Sequence, residues 1–279
     1  MALIAGIPPA ATQIAFASST RGLAFTCAPE AACKGKGAIY RTSDGGLTWR
    51  KILSTGEPRV LAVDSAPSVV AWLTSGRSTT SARHLHVQIG RASTTVVTVG
   101  PRLAKVAFRA AHDAWGITDR GAFLTTANGG RTWSSIPANP CGSLKPTAVR
   151  PVTAAIGLVV CSGNAVYRTK DGGRHWKRMT RRAGTGTPRE LDRSPDGRLW
   201  LALPHALKVS ADLGVHWRAR TELGTGASAP RSLSFPGLKT GYLTRLCTDG
   251  TSDLVRSNDR GTTWHEQPRA AGPCLLATS

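Results

Sequence analysis

Thr42-Ser43-Asp44-Gly45-Gly46-Leu47-Thr48-Trp49 decides the fold, because the chain repeats it. The same spacing returns as Thr126-Ala127-Asn128-Gly129-Gly130-Arg131-Thr132-Trp133 and as Thr169-Lys170-Asp171-Gly172-Gly173-Arg174-His175-Trp176. It returns again as Ser210-Ala211-Asp212-Leu213-Gly214-Val215-His216-Trp217 and as Ser257-Asn258-Asp259-Arg260-Gly261-Thr262-Thr263-Trp264. The closing tryptophans are spaced by 84, 43, 41 and 47 residues, so one unit between Trp49 and Trp133 has lost its box. Arg83-His84-Leu85-His86-Val87-Gln88-Ile89 reads as the third strand of that unit. A fixed period of about 42 residues marks a repeat architecture, here of six units.

Each box has a local mechanical reading. It follows a short β run such as Ala38-Ile39-Tyr40 or Ala165-Val166-Tyr167 and turns the chain into a strand that starts at Trp. A short-chain Asp or Asn bonds the amides of its own turn. Gly at the fifth position suits a left-handed residue in a hairpin loop, and Trp offers an apolar plate to a neighbouring unit. Upstream lies another hairpin pattern, as in Ile14-Ala15-Phe16 with Gly22-Leu23-Ala24-Phe25, or Leu233-Ser234-Phe235 with Gly241-Tyr242-Leu243. Four short strands per unit spell a propeller blade. The expectation is one all-β propeller over residues 1–279. Its blades fall near 12–52, 58–98, 103–137, 147–180, 188–220 and 230–267, and a tail, 268–279, braces the last. Asp44, Asn128, Asp171, Asp212 and Asp259, with Trp49, Trp133, Trp176, Trp217 and Trp264, are read as scaffold.

These boxes resemble the Asp-box (bacterial neuraminidase, BNR) repeat, found in sialidases, some xyloglucan-degrading glycosidases, sortilin-type receptors and the photosystem II assembly factor family. The Asp-Gly-Gly-x-Thr-Trp form looks most like the last group. The resemblance implies the fold and says little of function. A sialidase resemblance would require an arginine triad and a Tyr–Glu nucleophile pair. Tyr40, Tyr167 and Tyr242 all sit in second or third strands, without a Glu partner. Two facing carboxylates would suit another glycosidase, but Asp192 with Asp196 reads as flanking a turn, and Asp249 with Asp253 as one solvated loop. His84 and His86 share a strand face without a third metal ligand, and no Gly-rich loop opens a helix. No catalytic residue, metal or cofactor is assigned.

The six cysteines fall on the propeller face opposite the boxes, in three neighbouring pairs: Cys27–Cys33, Cys141–Cys161 and Cys247–Cys274. Such pairing points to disulfides and an oxidising compartment. The start, Met1 to Ala11, lacks a basic n-region, so the expectation is a secreted or envelope protein whose leader has been removed, with a cytoplasmic location the alternative. No apolar run reaches the ~20 residues of a membrane-spanning helix.

Lys and Arg total 36 against 16 Asp and Glu, a formal charge of +20. Pro-Arg steps recur where blades begin, placing Arg59, Arg102, Arg189 and Arg231 at the starts of innermost strands. They would rim the channel mouth, with Lys34, Lys36, Arg181, Arg182 and Arg245 in loops of the same face. The planar guanidinium fork suits carboxylate, sulfate or phosphate. The reading is a monomeric, non-catalytic binding or assembly scaffold whose basic face meets an acidic protein or anionic polysaccharide. Nucleic acid is compatible with the charge but unsupported by motif. The alternative is a sialidase-like or other glycoside hydrolase acting in the central cavity.

Overall fold

Six antiparallel sheets realise the repeat. The computed structural model describes residues 3–8, 11–26, 37–55, 59–66, 68–75, 82–90, 94–100, 102–180, 183–222, 230–247 and 249–269, with side chains throughout except at 54–55, 59–60, 180 and 221–222. Among them there is no helix.

A short strand, β1 (Leu3–Ala5), precedes the first blade, which comprises β2 (Ala11–Phe16), β3 (Gly22–Thr26), β4 (Gly37–Thr42) and β5 (Thr48–Thr55). The second holds β6 (Arg59–Ala66), β7 (Val69–Ser75), β8 (Arg83–Ile89) and β9 (Thr95–Val99). The third holds β10 (Leu103–Phe108), β11 (Ala114–Thr118), β12 (Phe123–Thr126) and β13 (Ser134–Ile136). The fourth holds β14 (Pro146–Pro151), β15 (Gly157–Cys161), β16 (Val166–Thr169) and β17 (Lys177–Thr180). The fifth holds β18 (Glu190–Arg193), β19 (Leu199–Ala202), β20 (Ala206–Ser210) and β21 (Arg218–Glu222). The sixth holds β22 (Pro230–Ser234), β23 (Gly241–Leu246), β24 (Ser252–Ser257) and β25 (His265–Glu266). Strands pair in sequence order within every blade. The first strands β2, β6, β10, β14, β18 and β22 touch in succession, and β22 returns to β2. This closed ring of inner strands makes the fold a six-bladed β-propeller, and the second blade is the one without a box.

The boxes are hydrogen-bonded turns. In the first, the Thr42 hydroxyl donates to Asp44 Oδ1 (2.7 Å) and accepts from Gly46 N (2.9 Å), and Asp44 Oδ1 accepts from Thr48 N (3.0 Å). The Trp49 indole N–H closes the turn on the Gly46 carbonyl. His175 and His216 replace Thr and donate from Nδ1 to Asp171 and Asp212. The fifth-position glycines have φ of 71–93°, and most also abut the preceding blade. A Cβ on Gly130 would lie 2.4 Å from Leu85, and one on Gly173 would lie 2.2 Å from Ile136. Each such box thus locks its own hairpin and caps the seam behind it.

Aromatic side chains fill the seams. Phe16 stacks on Tyr242 at 3.7 Å between the first and last blades, and Trp200 on Phe235 at 3.9 Å between the fifth and sixth. The ring closes without a shared strand. Instead β1 pairs with the outer strand β5, and Gly6 bridges to Arg269 beyond β25. Cys141, in the connection into the fourth blade, is bonded to Cys161 at the end of β15, with Cα atoms 5.5 Å apart. Cys247 is also disulfide-bonded, while Cys27, Cys33 and Cys274 lie outside the described residues.

Two acidic residues depart from the sequence reading. Asp192 is a buried residue of the inner strand β18 and does not flank a turn. Asp253 is wholly buried in β24, ion-paired with Arg245, and not in a loop with Asp249. Both carboxylates meet needs that arise only when blades or strands come together.

Asn128 is the one box residue that must donate from Nδ2 to the Thr132 hydroxyl (2.8 Å), where Asp44 and Asp259 accept from theirs. An ionised acceptor forms the stronger bonds. Asn128→Asp should therefore raise stability by ~0.5–1 kcal/mol in thermal unfolding at neutral pH. Because such a carboxylate has its pKa lowered by folding, the gain should vanish as pH falls below about 4.

Candidate functional site

The channel formed by the inner strands is closed by charge. Arg150 on β14 lies between Asp64 on β6 (Nη2–Oδ1, 3.1 Å) and Asp192 on β18 (Nη2–Oδ1, 3.0 Å), and all three are buried. Its Nε donates to the Leu191 carbonyl. Asp64 Oδ2 accepts from Phe108 N at 2.5 Å, and Asp192 Oδ2 from Phe235 N at 2.6 Å. Arg150 and Asp192 occupy the register held by Ala15, Ala107 and Ser234 in other blades. Burial opposes the guanidinium charge, but Asp64, Asp192 and Glu190 outweigh it and hold the Arg150 pKa above its ordinary value.

One register nearer the mouth stand Gln13, Lys105, Glu190 and Ser232. Glu190 Oε2 accepts from the Ser232 hydroxyl (2.8 Å), and Lys105 donates to the Thr147 carbonyl. Burial pushes the Glu190 carboxyl up to about 7 against the pull of Ser232, Lys105 and Arg150, and burial lowers Lys105 against the pull of Glu190. The cavity lined by Lys105, Thr147, Arg150, Arg189 and Glu190 measures only about 40 Å³. Pockets for small organic ligands span about 300–1,000 Å³. Here the channel is braced, and the carboxylates of Asp64, Asp192 and Glu190 face Arg150 and Ser232.

The basic residues singled out from the sequence are dispersed in role. Arg189 is exposed at the channel mouth, and Arg231 lies half-buried near the start of β22. Arg102 precedes β10 on the same side but is tied to Asp119 at 2.7 Å. Arg245 is a strand residue whose guanidinium serves Asp253 and Glu266. The side chain of Arg59, and Lys34, Lys36, Arg181 and Arg182 entirely, lie outside the described residues. His86 stacks on Trp72 and bonds Thr74, and among the described residues no group of three His, Cys, Asp or Glu could hold a metal.

Sequence reasoning missed Asp64, Lys105, Arg150 and the place of Glu190. The available signal was a charge in the middle of an inner strand, where the equivalent blade carries Ala or Ser.

The charges differ in their expected cost. Arg150→Ala leaves two buried carboxylates without a cation and should destabilise the fold by about 3–5 kcal/mol in denaturant unfolding. Glu190→Gln keeps the bond to Ser232 but removes a carboxyl whose pKa folding raises. A raised pKa favours the fold at low pH and opposes it as pH climbs through about 7. The variant should therefore match the parent at pH 4 and exceed it by ~2 kcal/mol at pH 8.

Comparison with known proteins agrees with this architecture. The family described as "Photosynthesis system II assembly factor YCF48" matches residues 91–203. A xyloglucanase from a Paenibacillus species is 25% identical over 235 residues, which cover 81% of this chain but only 18% of that enzyme. Among solved structures, YCF48 from Cyanidioschyzon merolae superposes with a TM-score of 0.53 at 14% identity, covering 96% of this chain and 88% of that one. A GH74 enzyme from Niastella koreensis gives 0.61 at 15% identity, over 95% of this chain and 46% of the enzyme. This chain thus spans a minor part of either glycoside hydrolase and nearly all of the algal propeller. Six blades, five boxed turns and the match across residues 91–203 make this chain a six-bladed propeller that resembles the BNR-type photosystem II assembly factor.

Proposed function

We propose that the chain is a non-catalytic binding or assembly scaffold that works outside the cytoplasm and offers its basic channel-mouth face to an acidic protein. One observation carries the reading. Every Asp and Glu whose side chain is described, which is all but Glu30, Glu57 and Glu222, is engaged within the fold. The box aspartates bind their own turns, and Asp64, Asp192, Glu190 and Asp253 are spent inside the blades. The rest pair with Arg102, Arg109, Arg198, Arg245 and Arg269. The remaining arginines and lysines have few acids left to meet, so the complement to the +20 charge is best supplied by a partner. Likeness to an assembly factor family supports a protein as that partner, and the disulfides support an oxidising location.

The Paenibacillus xyloglucanase favours a second reading, a glycoside hydrolase. Such an enzyme needs two carboxyl groups about 5–9.5 Å apart across a bound sugar, and the 40 Å³ cavity beside Arg150 and Glu190 does not admit one.

The two readings separate on one preparation. Binding to poly-glutamate should weaken in the Arg189→Ala/Arg231→Ala variant and fall with salt, while the thermal midpoint holds or rises slightly. Lost stability with unchanged binding would instead make these arginines braces of the strand starts. Release of reducing sugar from xyloglucan would favour the hydrolase.

A further inference from the structure

The opposite face, where the boxes lie, carries a second concentration of cations that the channel-mouth reading does not use. A groove of about 520 Å³ runs beside the seam between the fifth and sixth blades, lined by Arg198, Arg218, Arg220, Arg260 and His216 above a floor that includes Trp200. Asp212 is the one carboxylate in its lining. Its oxygens are taken by the Ser210 hydroxyl and by the backbone and ring of His216.

Two of the cations are held in place. Arg198 is paired with Asp196. Arg220 donates from Nε to the Arg260 carbonyl (3.0 Å) and from Nη2 to the Thr262 hydroxyl and the Asp259 carbonyl, clamping one blade's box to its neighbour. Arg218 and Arg260 make no ion pair among the described residues and are exposed.

Arg260 supplies an independent observation. It occupies the second turn position of its box with φ 63°, where the first, third and fourth blades have Gly45 (77°), Gly129 (69°) and Gly172 (72°). A side chain in this left-handed region is unfavourable. Leu213, the other exception at φ 56°, packs against the core and is compensated by burial. Arg260 is exposed, and what it adds is a charged side chain in the lining of the groove.

We infer that this groove is a binding site for a multiply charged tetrahedral oxyanion, a phosphate or sulfate group carried on a small molecule or glycan. Arginine forks present paired N–H donors to such oxygens. Arg198 and Arg220 are pre-oriented, Arg218 and Arg260 complete the cradle, and the volume exceeds that of the anion, leaving room for whatever carries it.

Isothermal titration at low ionic strength with inorganic pyrophosphate, a disulfated disaccharide and an Asp-Gly repeat peptide tests this. At least one oxyanion should bind more tightly than the peptide, and the tighter of the two names the source as phosphate or sulfate ester. Arg260→Gly should weaken that binding by about tenfold and leave the thermal midpoint equal or higher, since glycine relieves the left-handed strain. Arg218→Ala should weaken it similarly. Arg189→Ala/Arg231→Ala on the other face should leave it unchanged, which separates this site from the channel-mouth surface. Unchanged affinity in Arg260→Gly and Arg218→Ala overturns the inference, as does a loss confined to the Arg189/Arg231 variant. Binding of the acidic peptide alone also overturns it and makes the groove a protein-docking surface.

Discussion

A strand that starts a propeller blade has a hydrogen-bonded neighbour on one side only. Its other edge faces the next blade at an angle that prevents a regular ladder, yet its N–H and C=O groups are buried and must be satisfied. Side chains from the adjacent inner strand meet this demand around the ring. Gln13 accepts from Val63 N, Asp64 from Phe108 N, Asp192 from Phe235 N, and Ser232 and Ser234 from Ile14 N and Phe16 N. Arg150 supplies the reverse chemistry by donating to the Leu191 carbonyl. The polar interior therefore follows from closing edges into a ring, and Arg150 stands between two of its carboxylate acceptors, Asp64 and Asp192.

That ionic junction gives specificity more than raw stability. A buried ion pair gains little over a well-packed apolar substitute, whereas half of one is costly. In this ring the triad spans the second, fourth and fifth blades directly and reaches the third and sixth through Phe108 and Phe235. A shifted blade would strand a charge, so the register of the ring is fixed at its axis. The boxes fix it at the periphery, where glycines admit the side chains of the preceding blade.

How much of this was legible depends on the range of the interaction. The box bonds run between residues two to four apart, so five copies announced both the turn and the period. Cys141–Cys161 was also legible, because a blade's second strand ends beside the loop that enters the blade. Asp64 and Arg150 bond across 86 positions, and nothing local marks either as an axial residue. Asp192 precedes Ser194-Pro195-Asp196-Gly197 and looked like part of that turn. Only the demand of Phe235 N, 43 residues away, explains its burial. Local motifs revealed the architecture, and the residues at its axis answer to neighbours that only closure brings together.

The same accounting explains the electrostatic surface. The chain has 16 acids against 36 strong bases, and those whose side chains are described serve in turns, at the axis, and in pairs with Arg102, Arg109, Arg198, Arg245 and Arg269. Few are left to offset the exposed arginines. The resulting self-repulsion is mild, because two charges 4 Å apart in water interact by only about 1 kcal/mol and salt screens beyond about 8 Å. A ring tied through its axis and seams tolerates that cost without distortion. Arginines tied into that ring, such as Arg198 and Arg220, are held in place by their bonds to it, so an anionic partner of the kind proposed would lose less entropy in binding them than in binding a flexible basic tail.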